Sequence, residues 1–184
     1  AIVAFSGGQP ESFSTEGAVE TETGKVTGRD LSNALGAAED PPLGAGRAVL
    51  HAQPVAIALD HQEGLTDPRG MTGRHLSIAA HVLAVDARPL ANLAECVRQC
   101  DLDLCGVVSA PYAAGLAALV EDEHRAGAVC IDMGAGGTGL SLFLRDHLIC
   151  AERIRFGAEH VTSDIAGGLM MRRALAERIK TRHG

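Results

Sequence analysis

Tryptophan is missing from this chain, tyrosine occurs once and phenylalanine four times, so aromatics make up only 3% of its 184 residues. A core of stacked rings is excluded. The interior must come from Leu, Val, Ile and many Ala, and 46% hydrophobic residues supply enough of them to oppose global disorder. No apolar run approaches the roughly 18–20 residues that span a bilayer, and no signal-peptide pattern is visible. Bases are scarce in one place. Residues 1–67 hold three (Lys25, Arg29, Arg47) against ten acids, while the remainder balances at thirteen each, for a net charge of -7. That acidic first third is unsuited to a polyanion, which argues against nucleic acid as a partner.

Cysteines number five (Cys96, Cys100, Cys105, Cys130, Cys150) and lie in apolar helix or strand patterns. An odd count in such settings reads as reduced, buried thiols of a cytosolic protein. Cys96 and Cys100 stand one helical turn apart with Cys105 near, yet no second pair or histidines follow at zinc-site spacing. The length gives room for one ordinary domain or two small ones. The chain opens on AIVAFSGG, a strand already under way, and closes on ERIKTRHG as a helix finishes, so a piece of a larger protein is expected.

Periodicity supplies the elements. AIVAFSG (1–7) reads as a strand, and GAVETETGKVT (17–27) as another with a turn at Gly24-Lys25. Thr27 or Asp30 caps a helix over about 29–39, which PPLG (41–44) stops. VLHAQPVAIALDH (49–61) alternates around Pro54, whose missing N–H predicts an edge or a bulge. EGLTDPRGMTG (63–73) is a loop and HLSIAAHVLAVD (75–86) a second long strand. Leu90, Leu93, Ala94, Val97 and Cys100 line one face of a helix over 89–101.

LCGVVSA (104–110) reads as a short buried strand, YAAGLAALVEDEH (112–124) as one helix, and AVCIDM (128–133) as another buried strand. LSLFL and LICAERIRF form a hairpin about the RDH turn, and 159–180 is a single helix. His51, His75 and His81 fall in strand patterns and read as packed or surface histidines. The basic face of Arg172, Arg173, Arg178, Lys180 and Arg182 reads as a solvated helix rather than a membrane surface.

Residues 134–139, GAGGTG, spell G-x-G-x-x-G. A dinucleotide fingerprint needs a helix after its third glycine and an acid about twenty residues on. Here LSLFLRDHLICAERIRF follows, strand-turn-strand. A Walker loop needs Gly-Lys-Ser where this chain has Gly139-Leu140-Ser141. Both fail. What remains is a glycine turn within one hairpin: Gly134, Gly136 and Gly137 let backbone amides approach an anion, and Asp132 is compatible with that anion if Mg²⁺, held through water, lies between. The hydroxyl of Thr138 completes this pattern. A plain glycine-rich β-turn is the alternative.

Asp132, Gly134, Gly136 and Thr138, as D-x-G-x-G-x-T, resemble the second phosphate loop of the actin-like ATPases. VVSAPYAAGLAAL (107–119) is similar to their first connecting segment, and AERIK (176–180) to the helix that supplies a Glu and a Lys to adenosine, which maps onto Glu177 and Lys180. Within the superfamily QEGLTDPRGMTGRHL (62–76), HVLAVDARPLANLAECVRQCDLDLCGVV (81–108) and EHVTSDIAGGL (159–169) resemble the bacterial cell-division FtsA family, across essentially the whole chain. The resemblance implies a mixed α+β and α/β fold: an inserted β-α-β-β-α interaction subdomain over 1–101, then part of an actin-like (ribonuclease H-like) ATPase lobe. Residues 102–126 would return to the first lobe, and 127–184 would begin the second.

It further implies Mg-ATP as the cofactor of a full-length parent, with nucleotide-binding residues Asp132, Gly134, Gly136, Gly137, Thr138, Glu177 and Lys180, Asp132 meeting the metal through water. No cofactor is expected in the isolated chain, because the first phosphate loop would precede Ala1 and half of the adenosine pocket would follow Gly184. Implied partners are the protein itself in a polymer, division proteins with basic cytoplasmic tails such as FtsN through 1–101, and FtsZ through regions mostly elsewhere. A C-terminal helix outside this sequence would hold the parent to the inner face of the membrane at the division site. Two departures put hydrolysis in question. Ala110 stands before Pro111 where a polar residue often positions water, and Gly139 replaces a common Asp. A chaperone-like ATPase, a sugar-kinase-like enzyme or a pilus-assembly relative of the same superfamily are the alternatives.

Overall fold

The computed structural model describes residues 1–39 and 41–183. Three sheets organise it. The first, in order β2-β4-β3, is antiparallel: β2 (Glu11–Glu20) and β3 (Arg47–Leu59) flank β4 (His75–Asp86). The central strand explains its own composition. Leu76, Ile78, Ala80, Val82 and Ala84 alternate on one face and are all buried, with Leu76 and Ile78 packing on Val26, Ala34 and Leu59. Helix α1 (Gly28–Ala38) covers that face.

Its start is fixed locally by a capping box. Thr27 Oγ1 accepts from the Asp30 amide (3.2 Å), and Asp30 Oδ2 accepts from the Thr27 amide (2.8 Å) and hydroxyl (2.7 Å). The Thr27 hydrogen bonds hold the Asp30 carboxyl below the usual carboxylate range. Pro54 sits on an edge strand, and β3 is bulged both between Val49 and His51 and between Pro54 and Ala56. Leu65 and Met71 from the loop that follows pack against the end of this core.

The second sheet pairs β1 (Ile2–Phe5) in parallel with β5 (Gly106–Ser109). Between them in sequence, α2 (Ala87–Arg98) turns Leu90, Leu93, Ala94 and Val97 inward, but none becomes fully buried. The thiols depart from expectation. Cys96, Cys100 and Cys105 are exposed and Cys130 and Cys150 half-buried, all unbridged; α2 ends at Arg98, so Cys100 lies in the turn beyond it rather than on its apolar face.

The third sheet is a meander of β6 (Ala128–Met133), β7 (Thr138–Leu144) and β8 (His147–Ile154). Arg145 and Asp146 turn the last hairpin, both at positive φ (52° and 65°), which suits the twist of its strands. Phe143, Leu148 and Ala151 meet Leu83 in a second core, with Leu50, Tyr112 and Leu119 around it. Ser12 Oγ accepts from the Ala151 amide (3.0 Å), and the Ser109 amide donates to His51 Nε2 (2.8 Å), so polar contacts accompany the apolar seam.

Four further expectations are corrected. Strand β2 begins at Glu11 rather than Gly17, because Ser12–Ser14 extend the pairing to Val82 and Leu83. The helix after β5 breaks at Leu119 and Val120 into α3 (Ala110–Ala118) and α4 (Glu121–Ala126). The last helix is two, α5 (Ala158–Gly168) and α6 (Arg173–His183), separated where Met170 takes positive φ. Strand β6 is not buried: it is an edge, and Val129, Ile131 and Met133 stand 55%, 63% and 62% exposed.

Candidate nucleotide cleft

The turn between β6 and β7 is closed by the Gly134 amide donating to Gly137 O (2.9 Å). Its carbonyls face the next helix. The Ala158 amide donates to Gly134 O (3.0 Å) and the Glu159 amide to Ala135 O (2.9 Å), so the first turn of α5 holds the loop from behind. Among the described residues the amides of Ala135 and Gly136 have no acceptor. Gly157, at the helix start, permits this approach: a Cβ there would lie 2.4 Å from Gly134 O and 2.6 Å from Gly137 N.

Two cavities adjoin the loop. One, about 480 Å³, is lined by Met133, Gly134, Ala135, α5 residues and Arg173, Glu177 and Lys180 of α6. The other, about 380 Å³, is lined by Ser6, Ala110, Pro111, Asp132, Gly134–Gly137, Gly139 and Arg153. Gly134 and Ala135 belong to both. Residues some forty positions apart in sequence therefore converge on one loop.

Glu177 and Lys180 are joined to α5. Lys180 Nζ contacts Glu177 Oε2 (2.8 Å), Thr162 Oγ1 (2.9 Å) and Ala158 O (3.1 Å), while the Thr162 hydroxyl also lies 2.5 Å from Glu177 Oε2. Lys180 is only 18% exposed and its three donors are engaged; Glu177 is 48% exposed and keeps Oε1 available. The hydrogen bonds from Lys180, then Thr162, hold the Glu177 carboxyl below its usual range. Lys180 thus positions Glu177 more than it faces the cavity.

Of the residues singled out from sequence, Asp132, Gly134, Gly136, Gly137, Glu177 and Lys180 line this pair of cavities. Thr138 does not. It is buried and its hydroxyl donates to Phe156 O (2.7 Å), because strand alternation puts it on the face of β7 opposite the cavity-lining Gly139. Gly139 is closed by packing: a Cβ there would lie 2.5 Å from Pro111 Cγ, so a carboxylate side chain has no room. Thr162, Arg153 and Gly157 escaped sequence reasoning, whereas Arg173 belongs to the basic helix face named there. Only Gly157 carried a local signal, as a small residue just ahead of a helix.

Residues 7–84 match the family described as "SHS2 domain inserted in FTSA", and residues 129–184 match "Cell division protein FtsA". The cell division protein FtsA of Rhizobium meliloti (strain 1021) is 40% identical over 183 residues, covering 100% of this chain and 41% of that protein. Its namesake in Bacillus subtilis (strain 168) is 30% identical over 186 residues, covering 100% of this chain and 42% of that protein. The chain thus spans about two-fifths of the length of these curated relatives.

Among solved structures, a chain of the PilM-PilN type IV pilus biogenesis complex superposes with a TM-score of 0.57 at 19% identity, covering 94% of this chain and 48% of that one. That likeness bears on fold alone, a mixed α/β architecture in which residues 7–84 match an inserted SHS2 domain. With one family match over the β2-β4-β3 sheet, the other over the β6-β7-β8 sheet and its helices, and all of this chain aligned at 40% identity to about two-fifths of a relative, the chain matches a segment of the FtsA family of cell-division proteins.

Proposed function

We propose that the two adjoining cavities are one half of an adenine-nucleotide cleft in a cell-division protein, with the glycine loop between the adenosine side and the phosphate side. The observation that carries this is the loop itself: Gly134 and Ala135 wall both cavities, with Glu177 on one side and Asp132 on the other. Unpaired amides at Ala135 and Gly136 suit phosphate oxygens, and Glu177 Oε1 suits a sugar hydroxyl. Among the described residues no three His, Cys, Asp or Glu side chains cluster, so a Mg²⁺ ion would rest on Asp132 through water and on the phosphates themselves. When bound, that ion neutralises phosphate charge. Neither Ala110 nor Gly139 can orient water, so the residues support binding rather than turnover.

The larger protein to which this cleft belongs would act in division by self-association, by linking FtsZ to the membrane and by recruiting later division proteins at the inner membrane face. Residues 1–101 would supply an interaction subdomain, 102–126 a return through the first lobe and 127–184 the start of the second; β1, paired with β5, goes with the lobe. The exposed Glu11, Glu16 and Glu20 along edge strand β2 favour basic cytoplasmic tails of the FtsN kind as partners. No described helix is long and apolar enough to cross a membrane.

Calorimetric titration of ATP with magnesium tests the cleft. The protein made from the whole gene containing this sequence should bind, with heat lost in Glu177→Gln, while the 184-residue chain should bind weakly or not at all. Submicromolar affinity in the 184-residue chain would overturn the half-cleft, and no binding by the whole gene product would overturn the nucleotide.

A further inference from the structure

Arg153 has no counterpart in the phosphate-loop pattern, yet it occupies the phosphate side of the cleft. It stands on β8 in register with Gly139 of β7, and Gly139 is in register with Asp132 of β6. Asp132, Gly139 and Arg153 therefore form one row across the sheet, with the two charged residues about 10 Å apart at their Cα atoms, two strand spacings. Side chains in such a row share a face.

Between them the row is empty of side chain, and Pro111 fills the gap over Gly139. All three residues line the same cavity, in which Arg153 is the cation and Asp132 the anion among the described lining residues. The guanidinium lies against the loop: Nη2 and Cζ would be 2.8 and 3.0 Å from a Cβ on Gly137. A glycine at 137 is what lets the arginine come so close. Among the described residues Arg153 makes no ion pair and no side-chain hydrogen bond; Arg29, Arg88 and Arg145 share that state, but Arg153 alone of these lines the cavity.

An arginine without a partner, stacked on an anion-suited loop and opposite a carboxylate, calls for an anionic ligand. We propose that Arg153 is the direct phosphate-binding cation of this cleft, gripping the terminal phosphates of a nucleoside di- or triphosphate from the side opposite Asp132. The assignment rests on the nucleotide reading above. It divides the work in two. Asp132 repels phosphate and reaches it only through a metal ion, whereas the arginine fork binds it directly. Binding should consequently survive partly when magnesium is removed, and that residue of affinity should belong to Arg153.

The test is equilibrium binding of Mg-ATP, ATP with chelator, and adenosine to the whole gene product and to its Arg153→Gln and Arg153→Lys variants, with thermal unfolding as the check on folding. Loss of a charge-assisted contact should weaken ATP binding roughly tenfold or more, with and without magnesium. Adenosine affinity should not change, and Arg153→Lys should recover part of the loss. Equal ATP affinity in the parent and Arg153→Gln overturns the assignment and leaves the cleft standing. A parallel loss of adenosine binding makes Arg153 a structural residue and also overturns it. Absence of any adenine nucleotide binding in the parent overturns both the assignment and the cleft. Should Arg153→Gln fold poorly, competition by pyrophosphate against labelled ATP in the Arg153→Lys variant gives the same decision: unchanged competition is the outcome that defeats the proposal.

Discussion

Residues 11–86 and residues 128–183 each contain a three-stranded antiparallel sheet and helical cover, but they place their apolar side chains differently. In the first, β4 is buried on both faces, by α1 on one side and by Phe143 and its neighbours on the other. In the second, β6 leaves Val129, Ile131 and Met133 open, and α6 is tied to α5 through Thr162, Glu177 and Lys180. One region buries its central strand on both faces, while the other leaves its first strand open at an edge. Met133 walls a cavity and must stay accessible for it, whereas Val129 and Ile131 line neither cavity. The stability of the pair should therefore rest mainly on the first region, and the ligand chemistry on the second.

Truncating the central strand puts that division to its hardest test. Leu76 is fully buried beneath α1, and Leu76→Ala should cost about 2–5 kcal/mol in chemical denaturation. A cost no larger than that of an exposed-site control such as Leu175→Ala would show that burial in β4 does not dominate. Gly157→Ala acts on the second region and should cost less, about 1–3 kcal/mol, since its Cβ meets three loop atoms of Gly134, Ala135 and Gly137. Its larger effect should be on nucleotide binding, because the loop itself must move. Gly136→Ala, with nothing within 4 Å of the new methyl, should leave stability unchanged. If Gly157→Ala and Gly136→Ala behaved alike in both assays, close approach would not be what shapes the loop.

The first region was also the more legible in sequence. Its devices are local: a Thr-x-x-Asp cap, a proline that demands an edge, and alternation along the strand around that proline. The RDH turn was legible for the same reason. In the second region the outcome depends on neighbours that local pattern does not name. AVCIDM suits a central strand or an edge equally, and only the pairing order decides. Thr138 has the hydroxyl a ligand site wants, but strand alternation turns it away from Gly139 and onto Phe156.

Thr162 and Lys180 lie eighteen positions apart and meet only because α5 and α6 fold back, at a break that a continuous helical pattern conceals. The glycine motif, with Glu177 and Lys180, was found early because resemblance to a family supplied long-range information. Arg153, outside the motif, needed the sheet.

The seam between the two regions should respond to acid, and more weakly than either core responds to truncation. His51, on β3, accepts the Ser109 amide through Nε2, which requires a neutral ring nitrogen. His81, next to it on β4, is buried with both ring nitrogens unpartnered among the described residues. Burial lowers the pKa of each, and in His81 the nearby His51 adds to the effect. No carboxylate is among the causes acting on either ring, so nothing compensates a proton that binds.

With folded-state values below the ordinary histidine value of about 6.5, the unfolded chain takes up protons first as pH falls. Stability should then be full at neutral pH and decline below pH of about 6.5, with a slope of at most about 1.4 kcal/mol per pH unit for each ring, levelling once the folded rings also titrate. Denaturation midpoints between neutral and mildly acidic pH measure this directly, and His81→Leu should flatten the dependence. Were the slope unchanged in that variant and in His51→Gln, the acid response would lie elsewhere, and neither histidine would govern the seam that Leu83, Phe143 and Leu148 pack.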